Sequence, residues 1–121
     1  GDLIAGHVDK PLVTAFGEEI VSHAIDRVRK FSISQIPVKK DGQFVGSIDE
    51  STLFSFLVDN PTKLDTPLSQ IMGKPYPIVK ENTSVDEVSK LINKDNQAVL
   101  VELDNGKFHI ITKYDIIASL S

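Results

Sequence analysis

The second half of this chain repeats the first. Displaced by 63 positions (104 − 41, 111 − 48, 120 − 57), Asp104 falls on Asp41, Ile111 on Ile48 and Leu120 on Leu57. At the same offset Val88 meets Ile25 and Leu91 meets Val28, with no gap. A unit this small cannot bury its apolar face alone, so two fused copies are expected to pack on each other by a pseudo-twofold. Duplication also creates paired clefts, and a small ligand is expected there. The length of 121 residues fits one compact module. Its organisation reads as a first repeat over 1–58, a linker with a short helix over 59–75, and a second repeat over 76–121.

Each copy reads as strand, helix, strand, strand, helix. In the first, Leu12–Phe16 is a strand, and Glu18–Phe31 is a helix with Ile20, Val21, Ala24, Ile25, Val28 and Phe31 on one face. Gln35–Lys39 and Gln43–Ile48 flank the turn Lys40-Asp41-Gly42, and Glu50–Val58 is the closing helix. In the second, Tyr76–Lys80 is the strand and Ser84-Val85-Asp86-Glu87 is a capping box that opens a helix through Ile92. Gln97–Leu103 and Lys107–Thr112 flank Asp104-Asn105-Gly106, and the last helix runs from Tyr114 with Ile116, Ile117 and Leu120. Between the copies, Thr66-Pro67 reads as an N-cap followed by proline at the first helical position, which predicts a helix over Pro67–Met72. The fold class is therefore α/β (α+β), built from two βαββα repeats.

Composition excludes several functions. The net charge of −4 is spread along the chain, which supplies no basic footprint for nucleic acid. With no cysteine, disulfides, zinc–thiolate sites and thiol chemistry are absent. No apolar run is long enough for a membrane span, no signal peptide is visible, and a cytoplasmic location is expected. The opening Gly1-Asp2-Leu3 reads as a cut inside a longer protein or a tag scar. His7, His23 and His109 lack metal-ligand spacing, and there is neither a phosphate loop nor a dinucleotide fingerprint. The paired acids Glu18-Glu19 and Asp86-Glu87 sit in first helical turns, where the helix dipole accounts for them. No nucleophile–base pair stands out, so the chain reads as a module without catalysis of its own.

One junction carries chemistry. In Ile110-Ile111-Thr112-Lys113-Tyr114-Asp115 an apolar strand ends in threonine and a helix begins with aspartate three residues on. The spacing aims a hydroxyl, the free N–H groups of a first turn and a carboxylate at one small volume. A carboxylate suits a vicinal diol such as ribose, Lys113 can neutralise an anion, and Ile110 and Ile111 can sandwich a purine. Thr-x-x-Asp is equally close to a capping box with Thr112 as N-cap.

These residues resemble a known family. The two strand-helix-strand-strand-helix copies, each with a run of the type Ile/Leu-Pro-Val, then Asp-Gly, then Val-Gly-x-Ile/Val before the last helix, look like a pair of CBS domains. Ser34-Gln35-Ile36-Pro37-Val38 through Gly46-Ser47-Ile48-Asp49-Glu50-Ser51 look most like the C-terminal regulatory region of cystathionine β-synthase. The resemblance implies a regulatory module that binds an adenosyl effector (AMP, ATP or S-adenosylmethionine), forms a homodimer, and acts on the catalytic domain of a parent protein, a pyridoxal-phosphate-dependent synthase. The family motif Gly-apolar-apolar-Ser/Thr-x-x-Asp is met by residues 109–115, with His109 in place of glycine. It implies that Thr112 contacts ribose or phosphate, that Asp115 holds the ribose hydroxyls, and that Ile110 and Tyr114 line the pocket. Ile36, Tyr76 and Ile78 correspond to base-contacting positions. In the first copy Asp49 and Thr52 replace the hydroxyl and the carboxylate. At most one competent site, built around Asp115, is therefore expected. A ligand-free dimerisation module is the alternative, motivated by the apolar helix residues Leu53, Phe54, Phe56, Leu57 and Val58.

Overall fold

A computed structural model describes residues 3–4 and 12–119. His7 and Leu120 lie outside the described residues. The chain forms two compact units. One comprises Val13–Pro75, and the other comprises the residues from Tyr76 onward together with Leu3 and Ile4. The first holds β1 (Ala15–Phe16), α1 (Val21–Phe31), β2 (Gln35–Lys40), β3 (Gln43–Asp49) and α2 (Glu50–Asp59), and the second holds β4 (Ile78–Lys80), α3 (Val85–Ser89), β5 (Ala98–Glu102), β6 (Phe108–Thr112) and α4 (Lys113–Ser119). Each unit is thus βαββα. Each has one three-stranded sheet, ordered β1-β2-β3 or β4-β5-β6, with a parallel first pair and an antiparallel second pair.

Alternation along the strands builds the two cores. Ala15, Ile36, Val38 and Ile48 turn one face of the first sheet towards Val21 and Ala24 of α1, Leu53 of α2 and Leu68. In the second unit Val99, Val101 and Ile111 meet Val85, Val88, Ile116 and Ile4. The hairpins differ. Asp41 and Gly42, at φ of 51° and 78°, make a two-residue β2–β3 turn that needs positive φ at both positions. The β5–β6 connection runs over residues 103–107, where the Leu103 N–H donates to the Lys107 carbonyl at 2.8 Å and Gly106 takes a positive φ of 81°.

The repeat is not gapless, as the sequence reading held. The 63-residue offset describes β2 to α2 against β5 to α4: Ile36 and Val99, Val38 and Val101, Ile48 and Ile111 occupy matching pairs. Before that, the burial pattern follows an offset of 64 (85 − 21, 88 − 24, 92 − 28), pairing Val21 with Val85, Ala24 with Val88 and Val28 with Ile92. The missing residue is absorbed after the helix. There α1 ends through Ser32 in the left-handed conformation, whereas α3 has five residues and gives way to a turn bridged by Asn93 and Asn96. A helix-period pattern tolerates a slip of one residue at modest loss of match, so Ile25–Val88 and Val28–Leu91 look aligned in sequence.

The helix predicted over Pro67–Met72 is a single 3-10 turn, Leu68–Gln70. Pro67 is extended at ψ 142°, and Thr66 donates its hydroxyl to the Lys63 carbonyl, 2.8 Å away, rather than capping. The main chain here is committed elsewhere. Helix α1 has Ile20 at its N-cap, which has no side-chain acceptor, so the Val21 and Ser22 N–H groups donate to the carbonyls of Thr66 and Leu64 at 2.9 and 3.0 Å. Leu68 donates back to the Glu19 carbonyl at 2.8 Å and is fully buried. The same arrangement recurs 64 positions earlier. Ile4 donates to the Thr83 carbonyl at 2.9 Å, is 1% exposed, and seals the core of the second unit. There Ser84 does cap its helix, accepting from the Glu87 N–H at 3.2 Å.

Two further contacts tie the first unit together. Glu19 accepts from both terminal nitrogens of Arg27 and from the Phe16 N–H. The Arg27 hydrogen bonds, ahead of the opposing effect of burial, hold its carboxyl below the ordinary value of 4.5. Beyond the 3-10 turn, Ser47 and Gly73 exchange main-chain hydrogen bonds at 3.1 and 2.9 Å, and the Ser47 hydroxyl donates to the Lys74 carbonyl at 2.6 Å. Gly46 permits this crossing: a Cβ would overlap Met72 and stand 3.0 Å from the Gly73 carbonyl oxygen.

Glu19→Gln is expected to lower stability at pH 7 by about 1.5–3 kcal/mol, the range for a hydrogen bond to a charged group. Because the folded carboxyl titrates below its unfolded value, that stabilisation is present above the unfolded pKa and is lost as pH falls through the folded one. Denaturant melts of the two proteins should therefore converge below pH 4.5. Gly46→Ala is expected to cost about 1–3 kcal/mol by overpacking, with faster amide exchange at Gly73 as the local sign.

Candidate functional site

The junction of β6 and α4 is where the singled-out residues converge. Thr112 closes β6 and Lys113 begins α4, so Asp115 stands in the first helical turn. The Asp115 carboxylate folds back on the strand end, where Oδ2 accepts from the Thr112 N–H at 2.8 Å and from the Thr112 hydroxyl at 3.2 Å. This is the returning arm of a capping box. It leaves Thr112 buried at 8% exposure and Asp115 half-buried, with the carboxylate direction set by two donors. Lys113 and Tyr114 lie outside the clasp. Both are exposed, and the ammonium stands 5.3 Å from the centre of the Tyr114 ring.

Strand alternation sorts the remaining candidates. Ile110 and Thr112 share one face of β6, and Ile111 points to the opposite, helix-covered face. Ile78, Leu100 and Ile110 are paired across the sheet and form one row on the Thr112 face; Ala98, opposite Thr112, continues it. Ile78 is 49% exposed, Ile110 half-buried, and Ala98 and Leu100 fully buried. Sequence reading missed Ala98 and Leu100. Their signal was the register of Gln97–Leu103 against the candidate strand, which names the residues opposite Thr112 and Ile110. Tyr76 is buried two residues ahead of β4, outside the strand predicted to begin there.

Ile36 belongs to the other unit. Its side chain is fully buried in the core with Val38, Ile48 and Val21, so the core claims it. Ile111, expected to help sandwich a purine, is likewise a core residue, fully buried with Val85, Val88 and Ile116. His109 holds the glycine position of the motif. It falls on the Ile111 side of β6, away from the face of Ile110 and Thr112. Its Nδ1 is buried and has no hydrogen-bond partner among the described residues.

The corresponding junction of the first repeat is built differently. Asp49 precedes α2 but makes no capping bond to it, and Thr52 stands in the place of Asp115. Ser47, in the place of Ile110, is engaged by Gly73 and Lys74. Among the described residues no cluster of three histidine or acidic side chains could hold a metal ion, and no helix is long and apolar enough to cross a membrane.

Comparison with known proteins bears on this arrangement. The CBS domain family model matches residues 2–59 and 68–121. No curated protein sequence matches the chain. Solved structures share the fold. The CBS domain pair of protein MJ0100, in complex with 5′-methylthioadenosine and S-adenosyl-L-methionine, is 24% identical with a TM-score of 0.82, covering 99% of this chain and 100% of that one. CBSX2 from Arabidopsis thaliana, in complex with AMP, is 17% identical with a TM-score of 0.76, covering 99% and 96%. The CBS domain of a bacterial CNNM/CorC family Mg2+ transporter, in complex with ATP, is 18% identical with a TM-score of 0.77, covering 98% and 86%. With the family model matching both repeats of a doubled βαββα chain, the protein belongs to the CBS domain family as a tandem pair.

Proposed function

We propose that this CBS pair is a regulatory module whose second repeat takes one adenosyl ligand at the Thr112–Asp115 junction. The observation that carries the reading is the clasp itself: a half-buried carboxylate already oriented by two donors at a strand end. The molecules bound by the three structural relatives, AMP, ATP and S-adenosylmethionine or 5′-methylthioadenosine, have adenosine in common. Its invariant polar feature is the ribose diol, and an oriented carboxylate is the acceptor such a diol needs. In this reading Asp115 holds the ribose and Thr112 lies beside it. Ile110, Ile78, Tyr76 and Tyr114 supply apolar contact, and Lys113 meets a phosphate where there is one. Asp49 and Thr52 cannot reproduce the clasp, so one ligand binds per chain. The sequence resemblance over Ser34–Ser51 supports a pyridoxal-phosphate-dependent cystathionine β-synthase as the enzyme under control. The module then acts on that catalytic domain in the cytoplasm, with no nucleic acid or membrane as partner.

A second reading is favoured by a separate observation. On α2, Phe54 and Val58 are 67% and 62% exposed; on α4, Tyr114 and Ile117 are 63% and 62% exposed. Phe54 and Ile117 occupy the same repeat position. Apolar side chains recurring at one position of both closing helices suit self-association, which makes the chain a homodimerisation module with or without a ligand.

Calorimetric titration with AMP, ATP and S-adenosylmethionine tests the first reading. One of them is expected to bind at one per chain, and at about 100 times its Kd to add roughly 2.7 kcal/mol of stability. Asp115→Asn, which keeps the side chain's shape but not its charge, is expected to weaken binding at least about tenfold. Two ligands per chain, or an unchanged Kd in Asp115→Asn, overturns the site. For the second reading, sedimentation should show a dimer that Phe54→Glu with Ile117→Glu converts to monomer; a native monomer refutes it.

A further inference from the structure

The head of the first repeat, Leu3 and Ile4, is built into the unit that holds the strands of the second. Ile4 is 1% exposed and packs with Val85, Val88, Val99, Val101, Ile111 and Ile116. Its N–H donates to the Thr83 carbonyl at 2.9 Å, and Leu3 bridges to Ser84, the N-cap of α3. Two members of this cluster flank the candidate site: Ile111 immediately precedes Thr112, and Ile116 immediately follows Asp115. Ile116 is also the buried residue of α4. A helix of seven residues has little stability of its own and is held by packing. The seat of α4 against β6 therefore depends on how well that cluster is filled, and the Asp115–Thr112 clasp spans that seat.

We propose that Leu3–Ile4 is a strap whose docking sets the ligand affinity of the second repeat, with Ile4 a positioning residue that acts through Ile116 on Asp115. This rests on the reading of Thr112–Asp115 as the adenosyl site and adds its regulation. With the strap seated, the cluster is full and the clasp is held in the orientation the ribose requires. With the strap withdrawn, the cluster has a void beneath Ile111 and Ile116, α4 loses its fixed seat, and the carboxylate loses its fixed direction. Strap and ligand then favour the same state of the second repeat, so each tightens the other by the same factor. Leu68 supplies the control. It makes the equivalent main-chain bond and plugs the equivalent core, but in the unit that carries Asp49 and Thr52.

The test titrates AMP, ATP and S-adenosylmethionine into the full chain and into Ile4→Ala, Ile4→Val and Leu68→Ala, well below the lowest melting temperature. For the probe that binds, Ile4→Ala is expected to raise Kd about 5- to 30-fold, with Ile4→Val and Leu68→Ala staying within about twofold of native. In the native protein, which needs no variant to fold, saturating probe is expected to slow exchange of the Ile4 amide by about the same factor. A Kd for Ile4→Ala equal to native, a Leu68→Ala effect as large as that of Ile4→Ala, or an Ile4 amide indifferent to bound probe overturns the strap and leaves the site standing. Failure of the native chain to bind any of the three probes overturns the site reading and the strap together.

Discussion

The main-chain bonds from Leu68 to Glu19 and from Ile4 to Thr83 are the constraint from which the rest of this structure follows. Each sits just ahead of a helix whose first turn needs partners, and each delivers one large aliphatic side chain into a core that three short strands and two helices leave incomplete. The two segments matched by the family model begin at residues 2 and 68, so both plugs stand at the head of a repeat. Each is nevertheless buried in the unit that contains the strands of the other repeat. A repeat cut out at its sequence boundaries would therefore lack its own plug. Each core is completed by a segment from the head of the other repeat.

The same constraint separates the fates of the two junctions. In the first unit the chain leaving the Leu68 plug continues as Met72–Lys74 across β3, where Gly46 gives room and Ser47 is bonded on both its main chain and its hydroxyl. In the second, the equivalents of Gly46 and Ser47 are His109 and Ile110. The imidazole brings volume to the helix side of β6, and the isoleucine brings apolar surface to the Thr112 side. One strand end is thus stitched to its own chain and the other is finished as a hydroxyl–carboxylate clasp on an apolar face. The duplicated architecture has diverged at the positions where the chain crosses one strand and leaves the other uncrossed among the described residues.

Element types and order were legible because the strands of both repeats are short runs rich in Ile, Val, Leu and Phe and the turns carry Asp-Gly and Asn-Gly, signals that act over a few residues. The Thr112–Asp115 junction was legible for the same reason: its geometry is a local capping box. What escaped depended on distant partners. The one-residue change of register after the first helices was hidden, because Ile25 and Val28 sit on a helical face broad enough to match at either offset. The plug role of Ile4 and Leu68 was hidden, because an isolated two-residue bridge has no period to detect. Ile36 was assigned by family position, and Ile111 by its place in the motif. Strand parity, which places Ile36 with Val38 and Ile111 with Val99, puts both in their cores.

That Thr112 and Asp115 satisfy both a capping rule and a ligand motif is a physical economy rather than an ambiguity. A carboxylate that must meet a diol loses less orientational freedom on binding if it is already fixed, and the first turn of a helix offers the donors that fix it. The capping bonds use the Thr112 N–H and hydroxyl, groups that a strand end would otherwise leave to water. Preorganisation is thereby obtained from bonds the fold requires anyway. It holds only while α4 keeps its seat, and a seven-residue helix keeps its seat through Ile116 and the core beneath it. On the site proposed above, affinity would then depend on the packing below the helix as well as on the atoms that touch the ligand, which is the step on which the proposed strap rests.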